Sequence, residues 1–508
     1  MARVGTAGTL SDSADPICDQ VGQKLGMPES LHGSIRKAGF GGLTRSCTVE
    51  KLTLRHRCCW NEFLVAGAAA RARARRKPAP MTSRYRVEYA LKEHRRDGLI
   101  EWIKGLLATP FVLYAVKSNG ISAVDDLMVN SEAKRRYAEI FHDLELLIDD
   151  NIEMTRAGTP ELSRLVQLVP SVGNFFTRLP LEKAFYIEDE RRAISKRRLV
   201  APSFNDVRLI LNTAQLLEMS RFFHSKTIRD RKLQLITFDG DITLYDDGKN
   251  FDAESPILPH LIGLMAKDLY VGIVTAAGYS DANKYYERLK GLIDAVQTSP
   301  LLKSHQRENL LIMGGEANYL FRYSNEEQRL RFYSKDRWLL ENMLNWSEED
   351  IRLTLDFAQD VLNDLVHKLG APATVVRKER AVGLVPLPGY KLIREQLEEI
   401  VLRVDKRLRQ FPTAKKIRWC AFNGGSDIWV DIGDKAYGVR VLQKFISSND
   451  KIDVKAENTL HVGDQFNSLG SNDYASRTAA TTCWVSSPDE TKNLLIDLIK
   501  YIDDWATY

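Results

Sequence analysis

Between Leu233 and Gly248 the chain reads Leu-Gln-Leu-Ile-Thr-Phe-Asp-Gly-Asp-Ile-Thr-Leu-Tyr-Asp-Asp-Gly, and few folds can hold such a stretch. Leu235, Ile236 and Phe238 form a short apolar run of the kind that ends a parallel strand buried on both faces. The run breaks into two carboxylates, Asp239 and Asp241, with only Gly240 between them. A carboxylate at the end of a buried strand loses hydration, so it is tolerated mainly where a cation or a reacting group offsets the loss. If the chain leaves the strand at Gly240, Asp239 faces a bound phosphate while Asp241 reaches over the ester oxygen from the side. One acid can then attack phosphorus and the other can carry the proton. Two anions this close repel each other and an anionic substrate, and a divalent cation with oxygen ligands, Mg2+ before others, answers both repulsions. Two plainer readings compete. As a calcium loop the stretch has Leu244 where Gly is needed and Asn250 where Glu is needed; as a solvated Asp-rich turn it follows too apolar a strand.

Other chemistry-bearing groups also stand at predicted strand ends. Val271 to Thr275 reads as a second parallel strand, reached by a right-handed crossover through a helix from about Leu258 to Lys267. It stops at Thr275-Ala-Ala-Gly-Tyr, where small residues let backbone amides approach an anion and the Thr275 hydroxyl can bind a phosphoryl oxygen. Taken alone, a threonine closing a strand is ordinary. Phe422 to Gly433 reads as a hairpin turned by Gly424-Gly425 that delivers Asp431 and then Lys435. Lysines are mostly surface residues, yet one directly behind two alternating strands and a glycine can project into a cleft and hold a nucleophile and a phosphate together. Thr459 to Asp464 is a further apolar strand that stops at an acid, the third carboxylate a metal site needs. Asn467, Asn472 and Asp473 follow on the next loop as groups placed to support or join it.

Length and charge set outer limits. A chain of 508 residues holds two or three domains. Its net charge of +5 is unevenly spread: residues 1–80 carry 13 Lys and Arg against 6 Asp and Glu, a net of +7, which leaves −2 for the rest. The body therefore lacks the basic excess and the motifs of a nucleic-acid-binding module. Residues 1–80 are rich in Gly, Ala, Ser and Arg, hold Cys18, Cys47, Cys58 and Cys59, and read as a disordered extension or as upstream sequence ahead of a protein that begins at Met81. Asp12, Asp15 and Asp19 spoil the acid-poor pattern of an organelle transit segment. Only Cys420 and Cys483 lie in the body, which speaks for a reducing compartment, taken to be the cytoplasm, and against a disulfide framework. No apolar run is long enough for a membrane helix, Phe63 to Ala70 included.

Residues 81–230 read as mainly helical, with Leu99, Ile103, Leu106 and Leu107 on one face and Phe141, Leu144 and Ile148 on another. Ser203 is placed as an N-cap. Arg191, Arg192, Lys196, Arg197 and Arg198, with His224 and Lys226 farther on, form a basic cluster that is either a solvated face or an anion site. Residues 281–433 read as an α/β insertion with its own core, containing strands at Asn309 to Met313 and Thr374 to Val376 and helices near Glu348 to Leu369 and Lys391 to Arg409.

Asp239-x-Asp241-x-Thr243, then Thr275, then Lys435, then Gly463-Asp464 with Asn472-Asp473, arrive in the order of the four motifs of haloacid dehalogenase-type phosphatases, which this chain resembles. The segments Thr237 to Gly248, Gly272 to Tyr279, Gly314 to Phe321 and Trp429 to Lys435 further resemble the IMP-specific 5′-nucleotidase family of fungi and protists, from Met81 to near the C-terminus. The resemblance implies an α/β fold: a haloacid dehalogenase-like Rossmannoid core at residues 231–280 and 434–508, a C2-type α/β cap at 281–433, and a helical N-terminal domain at 81–230 that serves regulation and assembly into a homotetramer. It implies removal of the 5′-phosphate of IMP, with Mg2+ as cofactor and ATP as activator. Asp239 is then the nucleophile and a metal ligand, Asp241 the acid/base with its main-chain carbonyl on the metal, and Asp464 the remaining protein ligand. Thr275 and Lys435 hold the phosphoryl group. Gly240, Ile242, Thr243, Leu244, Tyr245, Asp246 and Asp247, together with Asp239, Asp241 and Asp431, bind the nucleotide. Asp473 follows Asp464 at a distance of nine positions, a departure from the usual last motif that leaves open whether Asp473 touches the metal. Two other readings stand beside this one: a sugar-phosphate phosphatase or phosphomutase on the same scaffold, and a catalytically silent nucleotide-binding regulator, from whose pattern a lost motif residue would be expected and none is missing.

Overall fold

The computed structural model describes residues 97–115, 123–224, 231–467 and 470–504. The expected leader, its four cysteines and Lys226 lie outside them. The described chain opens with helices α1 (Gly98–Ala115), α2 (Ala123–Arg156), α3 (Arg164–Leu168), α4 (Leu181–Arg192) and α5 (Phe204–Met219). Their apolar faces meet as the periodicity predicts: Leu99, Ile103 and Leu107 of α1 and Phe141, Leu144 and Ile148 of α2 are buried together. Leu106 departs from that pattern and is exposed. Ser203 caps α5, its hydroxyl accepting from the Asp206 amide while the Asp206 carboxylate accepts from the Ser203 amide, so two otherwise unpaired amides are satisfied at once.

Strand β1 (Leu235–Phe238) follows, then α6 (Leu258–Ala266), β2 (Tyr270–Thr275), the short helices α7 (Ala282–Arg288), α8 (Lys290–Thr298) and α9 (Ser304–Arg307), and strands β3 (Leu310–Gly314), β4 (Tyr319–Ser324) and β5 (Arg329–Tyr333). The chain then builds α10 (Glu348–Leu369), β6 (Ala373–Arg377), β7 (Ala381–Pro386), α11 (Arg394–Gln410), β8 (Trp419–Asn423) and β9 (Ile428–Ile432) before returning through α12 (Lys435–Asp450), β10 (Thr459–Gly463), β11 (Thr481–Trp484) and α13 (Pro488–Asp503). The result is a mixed α/β fold with two sheets. The larger runs β11-β10-β1-β2-β3-β4-β5; its first five strands are parallel, and β4 and β5 add as antiparallel strands. The smaller runs β6-β7-β9-β8 and is antiparallel throughout.

β1 lies in the middle of the parallel strands, paired with β10 on one side and β2 on the other. Its neighbours point alternately to two cores, as a strand period of two requires. Ile236 and Phe238 join Val271, Ile273, Leu310 and Ile312 on the face shared with the N-terminal helices, while Leu235 joins Val274, Leu311 and Met313 against α12. Helix α12 lies close on β2, because a Cβ at Gly438 would come within 2.8 Å of Val274. The smaller sheet has its own core beneath α10 and α11, with Leu355, Leu362, Ile400 and Val404 packed on Val382, Leu384, Ile428 and Val430.

The strand expected at Asn309 to Met313 within the insertion belongs instead to the larger sheet as β3, and carries β4 and β5 with it. Every residue of β3 is buried. A run apolar on both faces fits any sheet interior, so its sequence alone does not name its partners. The segment with a separate sheet and core starts at α10.

Candidate active site

Three parallel strands end at the same edge of the sheet, and each delivers one of the groups singled out above. Asp239 leaves β1 with its amide bonded to the Val462 carbonyl at 2.9 Å, still in the sheet. Thr275 closes β2 and its hydroxyl accepts from the Ala277 amide at 3.1 Å, which bends the chain away. Asp464 follows β10. Carboxylate oxygens of Asp239, Asp464 and Asp473 all lie within 4.8 Å of one another.

Lys435, the first residue of α12, is fully buried and reaches this group from behind. Its Nζ lies 2.8 Å from Asp239 Oδ1 and donates to Asp473 Oδ1 at 2.6 Å. Asp473 is fixed from two further sides: the Gln465 amide donates to its Oδ2 at 2.9 Å, and His461 Nε2 lies 3.2 Å from Oδ1. The other ring nitrogen, Nδ1, lies 2.9 Å from the Thr237 hydroxyl. A line of buried polar groups thus runs Thr237, His461, Asp473, Lys435, Asp239. Burial opposes the charge on Asp473, but Lys435 and His461 outweigh it and hold the carboxyl down at about 2. Burial pushes Asp239 the other way, to about 6, with Lys435 opposing and Asp473 reinforcing the rise. Asp464 is also raised well above the carboxylate range, by burial first and then by Asp239 and Asp473.

These acids fit a divalent cation. Carboxylate oxygens of Asp239 and Asp464 lie within 4.8 Å of each other, and two buried carboxyls this close are best accommodated with a proton or a cation between them. Their donors are hard oxygens, which suit Mg2+. Asp473, the third acid of the group, accepts from Lys435 on Oδ1 and from the Gln465 amide on Oδ2.

The cleft over these groups measures about 330 Å³ and is lined by Asp239, Asp241, Ile242, Asp247 and Thr275 from the strand ends and by Lys378, Asp427 and Trp429 from the smaller sheet. Asp241 is gripped by Arg288, whose Nη2 donates to Oδ1 at 2.5 Å, and by the Gly248 amide at 3.2 Å. The other predicted nucleotide contacts divide. Leu244 and Tyr245 are buried in the core, the Thr243 carbonyl accepts from the Thr491 hydroxyl at 2.7 Å, and Asp246 pairs with Lys249 at 2.9 Å on the surface. Tyr245 backs Gly240: a Cβ at Gly240 would stand 2.4 Å from the phenol oxygen. Asp431 lies on β9 beneath the cleft, fully buried, with Oδ1 unpartnered among the described residues and its carboxyl raised to about 7 by burial.

A family profile described as IMP-specific 5′-nucleotidase matches residues 81–495. The chain belongs to that family. IMP-specific 5′-nucleotidase 1 of Yarrowia lipolytica is 51% identical over 425 residues, spanning 83% of this chain and 98% of the relative. The Saccharomyces cerevisiae protein of the same name is 47% identical over 453 residues, spanning 83% and 100%. Among solved structures, a mutant of Plasmodium falciparum IMP-nucleotidase with IMP bound is 32% identical with a TM-score of 0.66, over 80% of this chain and 94% of that one. The ATP-bound form of the plasmodial protein is 32% identical with a TM-score of 0.64, over 83% and 89%.

For a member of the IMP-specific 5′-nucleotidase family, several groups at the site escape motif reading. Arg288 closes a helix and His461 sits inside a strand, where neither pattern advertises a polar task. Glu316, in the β3–β4 turn with φ +53°, is fully buried beside Lys435; burial raises its carboxyl well above the usual range, and Asn472 donates to its Oε1 at 3.3 Å. In the sequence it is marked only by lying within Gly314 to Phe321, one of the segments that carry the family resemblance.

Proposed function

We propose that this protein is a Mg2+-dependent phosphohydrolase that converts IMP to inosine and phosphate through an aspartyl-phosphate. The observation that carries the reading is the gathering of Asp239 and Asp464 at the floor of one cleft, with Lys435 buried directly behind them and a second wall from the smaller sheet opposite. Asp239 Oδ2, the oxygen not engaged by Lys435, is the nucleophile; it attacks phosphorus as the ester bond to the 5′-oxygen breaks. Asp241 gives the leaving oxygen its proton and takes one back from the water that later cleaves the acyl phosphate. Lys435 and Thr275 hold phosphoryl oxygens, so charge building on the transferring group meets a fixed cation and a donor. Asp239 and Asp464, with the Asp241 carbonyl, would hold Mg2+, which supplies charge neutralisation at the phosphoryl oxygens. Asp247 faces the nucleoside part and Asp431 supports that wall from beneath; Gly240 and Ile242 to Asp246 act through the backbone of their loop.

The α/β unit from α10 to β9 serves as the cap of a haloacid dehalogenase-type core, and the N-terminal helices serve assembly into a tetramer and activation by ATP, in keeping with the ATP-bound plasmodial relative. A cytoplasmic enzyme completes the reading; no helix among the described residues is long and apolar enough to cross a membrane.

Phosphate release from a panel of nucleoside and sugar monophosphates, with Mg2+ and with or without ATP, tests this directly. Preference for IMP, raised by ATP, is expected, and equal rates across the panel would reduce the protein to a general phosphatase. Asp239→Asn is expected to lower phosphate release by at least ~10³-fold with the fold intact by circular dichroism. Near wild-type activity in that variant would remove Asp239 from its role.

A further inference from the structure

The wall of the cleft opposite the acids carries groups with no part in the chemistry above. Lys378 stands in the β6–β7 turn, and Asp427 and Trp429 lie on the β8–β9 hairpin. Trp429 pairs across the sheet with Gly383, where a Cβ would come within 2.6 Å of the indole carbons, so the ring lies down on the backbone there. Lys378 Nζ sits 3.8 Å from the indole centroid. Among the described residues it makes no salt bridge, although Asp427 and Asp431 both act on its charge. The Trp429 side chain also lies near the Asp427 carboxylate and counters part of the rise that burial gives it. One aromatic ring therefore aligns a cation and an anion on the same wall. The hairpin meets the catalytic loop at its tip, where a Cβ on Gly425 would lie 3.4 Å from Asp247 Oδ2.

We infer that Lys378 and Asp427, aligned by Trp429, read the edge of a 6-oxopurine: the ammonium donates to O6 and the carboxylate accepts from N1–H. The inference rests on IMP as the substrate. In hypoxanthine the two edge positions are an acceptor and a donor, matching a donor-only lysine and an acceptor-only carboxylate. In adenine both are reversed, so a 6-amino group faces the ammonium and a bare N1 faces the carboxylate. That mismatch leaves two partly desolvated charges unpaired, the situation in which a site rejects an analogue most strongly. Guanine keeps the 1,6 pattern of hypoxanthine, so this pair selects oxo over amino and is indifferent to the 2-position.

The test compares kcat/KM for IMP, AMP, ribose 5-phosphate and purine riboside 5′-monophosphate, which lacks both O6 and N1–H, in the full chain and in Lys378→Met and Asp427→Asn. Each variant is expected to lower the ratio of IMP to purine riboside monophosphate by about 10- to 100-fold, the range for a hydrogen bond to a charged group. The IMP to AMP preference narrows with it, and ribose 5-phosphate loses less than IMP. If the wild type turns over IMP but the variants keep these ratios within threefold, or lose all four substrates equally, the inference is overturned and the functional reading stands. A wild type that releases no phosphate from IMP overturns both.

Discussion

Lys435 shows how a single residue can be held where its chemistry makes it difficult to keep. An ammonium with no solvent exposure is sustained only by anions, and it has Asp239 and Asp473 at 2.8 and 2.6 Å. With Asp464 ionised as well, three carboxylates face one lysine, so the site stays anionic until a cation or a proton arrives. Lys435→Met takes away the shared partner and strands two buried acids. That change is expected to destabilise the protein by about 3–5 kcal/mol, read as a lower midpoint in urea unfolding, and to abolish phosphate release. Adding Asp473→Asn to the same chain should recover part of the lost stability and none of the activity. An unchanged midpoint in the single variant would mean that the lysine is not what neutralises those acids.

At the scale of elements, helix α5 fastens the N-terminal helices to the sheet. Arg208, buried, donates to the Trp484 carbonyl at 2.5 Å and forks onto Glu490 at 2.8 and 2.9 Å, while Asn212 exchanges hydrogen bonds with the Trp484 backbone. Arg208→Met keeps the bulk and removes the fork; it is expected to cost about 2–3 kcal/mol and to raise protease sensitivity in α1 to α5 before the rest of the chain. Uniform protection across the protein would refute that order. The neighbouring basic cluster is largely spoken for: Arg191 binds Asp497, and Arg192 and Arg197 bind Asp206. From charge alone such a cluster and an anion site look the same, because pairing partners such as Asp497 lie hundreds of residues away. The same limit explains what could be read in advance and what could not. β1, β2 and β10 were visible because an apolar run stopping at Asp239, Thr275 or Asp464 is a local pattern. The place of β3 in the larger sheet, and of Arg288 against Asp241, depends on partners that no window of sequence contains. Lys435 stood between these cases, since a hairpin pointed at it but its burial did not show.

For the whole molecule, the acidic centre ties stability to pH and to metal. Burial raises Asp239 from an ordinary unfolded value of about 3.9 to about 6. A raised carboxyl means that the folded state holds the proton more tightly, so metal-free stability is greatest below the unfolded value and declines as pH climbs from about 4 to 6. A divalent ion competes with that proton. Mg2+ is therefore expected to raise the unfolding temperature by a few degrees at pH 8 and by much less at pH 5, with Asp464→Asn flattening the difference. Equal shifts at both pH values would show that the ion binds elsewhere. A last consequence follows from the route by which the chain returns to the larger sheet. Only Gly433 and Asp434 separate the end of β9 from Lys435, and they have no slack: Asn318 holds the Ile432 carbonyl at 2.6 Å, and Gly433 is pressed so near the Glu316 carbonyl that a Cβ would overlap it at 1.9 Å. The smaller sheet and the buried ammonium are in effect geared together, because its inner strand β9 runs straight into the residue that carries the charge.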